Sequence, residues 1–265
     1  MTDGTHAFGD VQATMAGEHV GIAEIRRPPD NFFDAALIGG LADALDWLAQ
    51  AGARAVVLCS EGKHFCAGAD FTGRSQHARA IGASGGAREL YDQAVRLFRA
   101  PVPVVAAVQG AAVGGGLGLA CAADFRVASP QSRFSANFAR IGLHQGFALS
   151  VTLPAITGAQ RAADLMYTGR RVGGAEAAAI GLADRLAASP DELRSVAAEL
   201  AGQIASAAPL AVRAIRSTMR ADLAGRALAA MDRELAEQSK LWATSDFAEG
   251  VRAAAERRPA RFEGR

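Results

Sequence analysis

Neither sign of charge is in excess in this 265-residue chain: 28 lysines and arginines face 27 aspartates and glutamates. No global field draws the protein to nucleic acid or to an anionic membrane, so any anion site is a local arrangement. Cysteine is scarce. The three present, Cys59, Cys66 and Cys121, sit in apolar stretches without metal-ligand spacing. Their odd number argues against a disulfide framework and for free thiols in a reducing, cytoplasmic compartment. Residues 1–10 lack the basic start and apolar run of a secretory signal. The longest weakly polar stretch, 111–123, is too short to span a bilayer and is broken by glycine. Nucleic acid, membrane, metal and redox cofactor are therefore not expected. Apolar residues are abundant: they make up 50% of the chain, enough at this length for a substantial core.

The patterning predicts an α/β core. Residues 11–16 and 20–25 read as paired strands around Gly17-Glu18, and the Pro28-Pro29-Asp30-Asn31 cluster stops the second. Leu37, Leu41, Leu45 and Leu48 recur at helical spacing after Asp34, a residue suited to cap a helix that ends near Gly52. Apolar β-type runs at 53–59 and 102–108 flank a helix over 87–99. Strands alternating with helices imply a largely parallel, buried sheet. From about Pro190 only helical patterns remain, around 193–204, 210–219 and 228–242. The expected division is a core over 1–195 and a helical C-terminal region over 196–265.

Two glycine-containing segments follow predicted strands: Phe65-Cys66-Ala67-Gly68-Ala69-Asp70, and Gly114-Gly115-Gly116-Leu117-Gly118. Glycines entering a helix let backbone N–H groups point at an anion, and the helix dipole adds to the field there. The anion is a phosphate or an oxyanion. The second segment lacks the lysine and hydroxyl residue of a P-loop and is not a GxGxxG fingerprint, which disfavours nucleotides.

Taken together with GKHFCAGAD at 62–70, PVPVVAAVQGAAVGGGLGLACAAD at 101–124, YTGRRVGGAEAAAIGLAD at 167–184 and ATSDFAEGVRAAAERRPARF at 243–262, the chain resembles the enoyl-CoA hydratase/isomerase (crotonase) superfamily along nearly its whole length. The resemblance implies a crotonase-like ββα spiral followed by C-terminal helices that mediate self-association, as a homotrimer or a dimer of trimers. It implies an acyl-CoA substrate, coenzyme A being part of the substrate and no cofactor being bound. It also implies that the N–H groups of Ala69 and Gly115 hold the thioester oxygen, with Ala67, Gly68, Asp70 and Gly114 beside them. Such a pair suits any reaction that places negative charge on that oxygen, and one donor is typically worth about 3 kcal/mol of barrier. Asp70 and Asp124 fall where the family has mostly structural acids and are not assigned to catalysis.

The acid/base positions depart from the family pattern. Its two hydratase glutamates correspond to Gly118 and Phe138, and an acid used by some isomerases corresponds to Gly146; none of the three transfers a proton. The segment 134–154 is expected to wall the pocket. Within it His144 is the candidate substitute base, Gln145 a holder of water or carboxylate, and Arg140 a residue facing solvent. Phe138 makes the pocket more apolar. His64 is expected to point away from the thioester, and His77, with Arg74 and Arg79, lies in the stretch that in this family covers the acyl pocket. For the phosphates and adenine of CoA the resemblance implies Arg26 and Arg27 after the second strand, and Arg257, Arg258 and Phe262 at the C-terminus. The expected function is that of a family enzyme acting through a thioester enolate. A non-catalytic acyl-CoA-binding protein, and a CoA-thioester decarboxylase or hydrolase, stand as alternatives; the acyl group and reaction type stay open.

Overall fold

The structure, a computed structural model, describes residues 4–71 and 86–265. His77, Arg74 and Arg79 lie outside the described residues. Three antiparallel strands open the chain: β1 (Thr5–Phe8), β2 (Val11–Ala16) and β3 (Val20–Ile25). Alternation sets their register, with Val11 opposite Ile25 and Ala16 opposite Val20. Helix α1 (Ala35–Gln50) starts where expected, because the Asp34 carboxylate accepts the Leu37 N–H at 2.8 Å. Its Leu37, Leu41, Leu45 and Leu48 form one buried stripe.

The core continues through β4 (Ala55–Ser60), α2 (Gly86–Phe98), β5 (Val104–Val108), β6 (Ala111–Val113), α3 (Gly115–Ala122), β7 (Phe125–Ala128) and β8 (Arg133–Ser135). A 3₁₀ helix over Asn137–Ile141 leads to α4 (Leu149–Thr157), α5 (Ala159–Thr168), β9 (Arg171–Gly173), α6 (Gly174–Ala179) and β10 (Arg185–Leu186). The tail is helical: α7 (Leu193–Ser206), α8 (Pro209–Met219), α9 (Leu223–Leu241) and α10 (Ser245–Glu256).

Seven strands form the main sheet in the order β1-β2-β3-β4-β5-β7-β10, parallel from β3 onward. Every residue of β4 and β5 is buried, because helices cover both faces. The two-residue period divides them. Val56, Leu58 and Ala106 join the large core under α1 and α2, while Ala55, Val57, Cys59 and Val105 meet Leu193, Ala197 and Leu200 of α7. The division expected at 195/196 thus falls inside a helix whose apolar face belongs to the sheet. Burial also pushes the Cys59 and Cys66 thiols up to about 12, which keeps them protonated and inert.

The tail returns to the core through Asp124. Its Oδ1 accepts from Arg216 Nε and Arg220 Nη1, both at 2.9 Å, and its Oδ2 accepts the Val104 N–H at 2.8 Å. The carboxylate ties α8 to the sheet, the structural part expected of it. By contrast α8 buries none of its own residues and leaves Leu210, Ile215 and Met219 exposed. No single described helix is long and apolar enough to cross a membrane.

Candidate active site

A second sheet, β6-β8-β9, builds the site by bringing the two glycine-containing segments side by side. Cys66 bridges to Ala112 of β6: its N–H donates to the Ala111 carbonyl at 3.0 Å, and its carbonyl accepts the Val113 N–H at 3.1 Å. The chain then turns at Gly68, whose φ of +86° suits glycine. A side chain there would place Cβ 2.7 Å from the Val113 carbonyl oxygen and 3.4 Å from the Gly115 nitrogen. Glycine is thus required both by the turn and by the close approach of the two backbones.

Neighbouring N–H groups are engaged. Ala67 donates to the Asp30 carbonyl at 2.9 Å, Gly68 to Cys66 Sγ at 3.4 Å, and Gly114 to the Ser135 carbonyl at 2.8 Å. The N–H groups of Ala69 and Gly115 have no hydrogen-bond acceptor among the described residues, and Gly115 opens α3, where the first-turn donors lack intrahelical partners. Both residues line one cavity of about 80 Å³. Its wall is mainly apolar, with Phe33, Phe71, Leu90, Phe138, Ile141 and Phe147, and its polar side chains are Asn137, Tyr91 and Gln238. Tyr91 is the one ionisable side chain among the described lining residues.

Gly118 and Gly146 have physical reasons to be glycine. A Cβ on Gly118 would lie 2.5 Å from Phe147 Cβ, so the phenylalanine fills the space a longer side chain needs. A Cβ on Gly146 would lie 2.4 Å from the Tyr91 hydroxyl and 2.7 Å from Gln238 Nε2. Phe138 is buried and lines the cavity, as the sequence suggested.

The turn that places Phe147 is strained and held from outside. Phe147 and Ala148 both adopt left-handed backbone, φ +59° and +58°, at a cost of roughly 1–2 kcal/mol each for residues with a Cβ. Helix α9 supplies the restraints. Gln238 Nε2 donates to the carbonyls of His144 and Gln145 at 3.1 and 3.3 Å, and Gln238 Oε1 pairs with the Tyr91 hydroxyl at 3.2 Å. Glu234 accepts from Ala148 N–H at 2.9 Å, Ser150 N–H at 3.0 Å and Ser150 Oγ at 2.6 Å, capping α4 from another helix. Sequence reading missed this group because its members come from α2, the pocket loop and α9. A local trace exists: the buried stripe of α9 is Ala227, Met231, Glu234 and Gln238, so two polar residues occupy core spacing.

Glu234 gives a pH prediction. It is fully buried, and burial raises its pKa from the ordinary 4.5 to about 7 despite the three donors. The folded chain thus keeps this proton up to about pH 7, whereas the unfolded chain releases it near pH 4.5. The stability this proton contributes is complete below pH 4.5 and is lost as pH rises through 7. Urea unfolding of the wild type and Glu234→Gln between pH 4 and 8 should show their difference moving in favour of the variant by roughly 3 kcal/mol. A pH-independent difference contradicts this assignment.

The other expected residues are dispersed. His144 is half-buried but does not line the cavity: its Nδ1 lies 2.8 Å from the Gln145 carbonyl. Gln145 also turns away and donates to Ser150 Oγ at 3.1 Å. His64 accepts the Ala111 N–H at Nδ1, away from the cavity, as expected, and burial lowers its pKa. Asp70 is not among the lining residues. Arg26 pairs with Glu61 at 2.9 Å; Arg27 pairs with Asp10 at 2.7 Å and Asp34 at 3.1 Å. Arg257, Arg258 and Phe262 line a separate groove of about 1040 Å³ that also holds Arg140, Arg170 and Arg171 and shares Val113, Asn137 and Ile141 with the cavity. Arg140 is exposed and donates to the Thr168 carbonyl at 2.6 Å. Arg258 is drawn to Glu249 and Glu256, while Arg257 has no ion-pair partner among the described residues.

Comparison with known proteins agrees with this geometry. The family model Enoyl-CoA hydratase/isomerase matches residues 16–265. The cyclohexa-1,5-dienecarbonyl-CoA hydratase of Thauera aromatica is 36% identical over 247 residues, covering 91% of this chain and 92% of the relative. Among solved structures, an enoyl-CoA hydratase from Mycobacterium avium subsp. paratuberculosis K-10 superposes with a TM-score of 0.81 at 28% identity, covering 96% of this chain and 99% of the other. An enoyl-CoA hydratase/isomerase from Pseudoalteromonas atlantica T6c gives 0.81 at 29% identity, covering 96% and 100%. The fold, the two adjoining backbone segments and these matches together show that the chain belongs to the enoyl-CoA hydratase/isomerase family.

Proposed function

We propose that this family enzyme acts on an acyl-CoA thioester through an enolate whose oxygen is held by the N–H groups of Ala69 and Gly115, without the family's usual glutamate pair. The observation that carries this is the presence of both unengaged donors in the wall of one apolar cavity. Charge developing on a thioester oxygen there meets fixed dipoles in a site of low dielectric, where such contacts count most. Gly118, Phe138 and Gly146 contribute no carboxylate, and His144 is given no step because it does not line the cavity.

The phosphates and adenine of CoA are assigned to the arginine-lined groove, with Arg257, which like Arg140 and Arg171 has no carboxylate partner among the described residues, as the phosphate contact and Phe262, 44% exposed, as a face for the base. Arg26 and Arg27 are already satisfied by carboxylates and take a lesser part. The uncovered apolar residues of α8 support self-association, proposed as a trimer or a dimer of trimers. Three buried free cysteines fit a cytoplasmic protein.

Incubating the protein with enoyl-, 3-hydroxyacyl- and 2-carboxyacyl-CoA esters in heavy water tests the reading. Mass spectrometry should find α-deuteration, addition of water or loss of carbon dioxide in at least one ester. Tight binding of CoA esters with no mass change in any of them would instead support an acyl-CoA-binding protein. Failure of every ester to bind would refute the CoA assignment.

A further inference from the structure

Resting on the enolate reading, we infer that Tyr91 is the proton donor of this site and that the substrate is a 2-carboxyacyl thioester whose enolate arises by loss of carbon dioxide. The cavity that holds the Ala69 and Gly115 donors contains one ionisable side chain among the described residues, the Tyr91 phenol. An acyl group in this cavity shares its walls with both the donors and the phenol. The phenol is held on two sides. Its oxygen accepts the Phe147 N–H, and its hydroxyl pairs with Gln238 Oε1 at 3.2 Å. Rotation about the C–O bond turns the proton from Gln238 into the cavity while Phe147 keeps the oxygen in place.

A group so placed gives protons and does not take them. Burial raises the Tyr91 pKa well above its ordinary value, so the phenol is neutral at physiological pH. Removal of an α-hydrogen needs a base, which a neutral phenol is not. Loss of a carboxylate needs only a stabilised enolate and a proton to finish. The apolar wall suits that step: Phe33, Phe71, Phe138 and Phe147 surround a carboxylate without a cation to pair it, which favours its conversion to neutral carbon dioxide. The balance is complete without a co-reactant. The bond from C2 to the carboxyl carbon breaks, and its electron pair moves into the C1–C2 bond and onto the thioester oxygen. Carbon dioxide leaves, C2 then forms a bond to the Tyr91 proton, and water restores the phenol.

Methylmalonyl-CoA in heavy water is the probe, followed over times short enough that its own C2 hydrogen has not exchanged. The wild type should release carbon dioxide and leave propionyl-CoA with one deuterium in a single configuration. Tyr91→Phe should slow net formation of propionyl-CoA by about 100-fold or more with KM little changed, because an enolate left unprotonated takes carbon dioxide back, and should scramble the configuration because water then delivers the deuteron. Should Tyr91→Phe fail to fold, 3-fluorotyrosine at position 91 keeps the shape and acidifies the phenol, moving the alkaline limb of the rate profile to lower pH. An unshifted limb, or a Tyr91→Phe protein with wild-type rate and configuration, overturns the proton-donor role. Hydration or α-exchange of other esters with the 2-carboxyacyl ester left intact overturns the inference while the enolate reading survives. No change in any ester overturns both.

Discussion

A chain carrying Phe33→Leu and Gly115→Pro should turn over its best thioester about 10²–10³-fold more slowly than Phe33→Leu alone, with a smaller change in KM. Proline deletes the Gly115 N–H and is tolerated at the first position of a helix, the place Gly115 holds in α3. The single Gly115→Pro variant is ambiguous, since a Cβ on Gly115 would sit 2.3 Å from Phe33 Cζ and displace the ring that walls the cavity. Leucine at 33 lacks that atom, so the double variant loses the donor without the collision. Because the interaction strengthens as charge builds on the oxygen, its loss falls on kcat more than on binding. Thermal unfolding of both proteins controls for stability, and equal kcat in two folded proteins refutes the oxyanion role.

The second large effect concerns Gly118, the position that the resemblance sets against a family glutamate. Gly118→Glu should destabilise the protein by roughly 4 kcal/mol or more, because the new Cβ meets Phe147 Cβ at 2.5 Å and Cγ at 3.0 Å and the carboxyl is driven into a buried site. Phe147→Gly removes the obstacle. It also relieves the left-handed strain at φ +59°, offsetting part of the about 3–5 kcal/mol expected for loss of a buried phenylalanine. The double variant should therefore be more stable than the sum of the two singles by roughly 2–3 kcal/mol in urea titrations. Additive losses would mean that Phe147 does not occupy the glutamate's space. One substitution alone does not fit a carboxylate at position 118, because the left-handed turn at Phe147 fills that space.

Much of this was legible along the chain. The pair β2 and β3 is announced by two short strand-like runs on either side of the turn-like Gly17-Glu18, and α1 by a leucine stripe behind an Asp34 cap. The Phe65 to Asp70 and Gly114 to Gly118 segments carried the site, because backbone donors leave their trace in glycine placement and not in reactive side chains. What escaped were features with no local period. Strands β6, β8 and β9 have three residues each, too few to alternate visibly, yet they join the two glycine segments. Tyr91 looks like one more buried residue of an amphipathic helix, and its partner Gln238 is 147 positions away. His144 drew attention through its intrinsic pKa, but side-chain direction is decided by the Gln145 carbonyl and α9, which no local pattern records.

Because α9 completes the cavity wall, the order of synthesis matters to the newborn protein. When residue 206 has been added, all seven strands of the main sheet and the helices on both its faces exist. Glu234 and Gln238 are still to come. Until they arrive, the strained turn at Phe147 lacks its restraints and the aromatic lining stands open on one side. A message cut short between codons 207 and 222 thus yields a chain with a completed sheet but an uncovered greasy trough, a natural client for chaperones and a seed for aggregation.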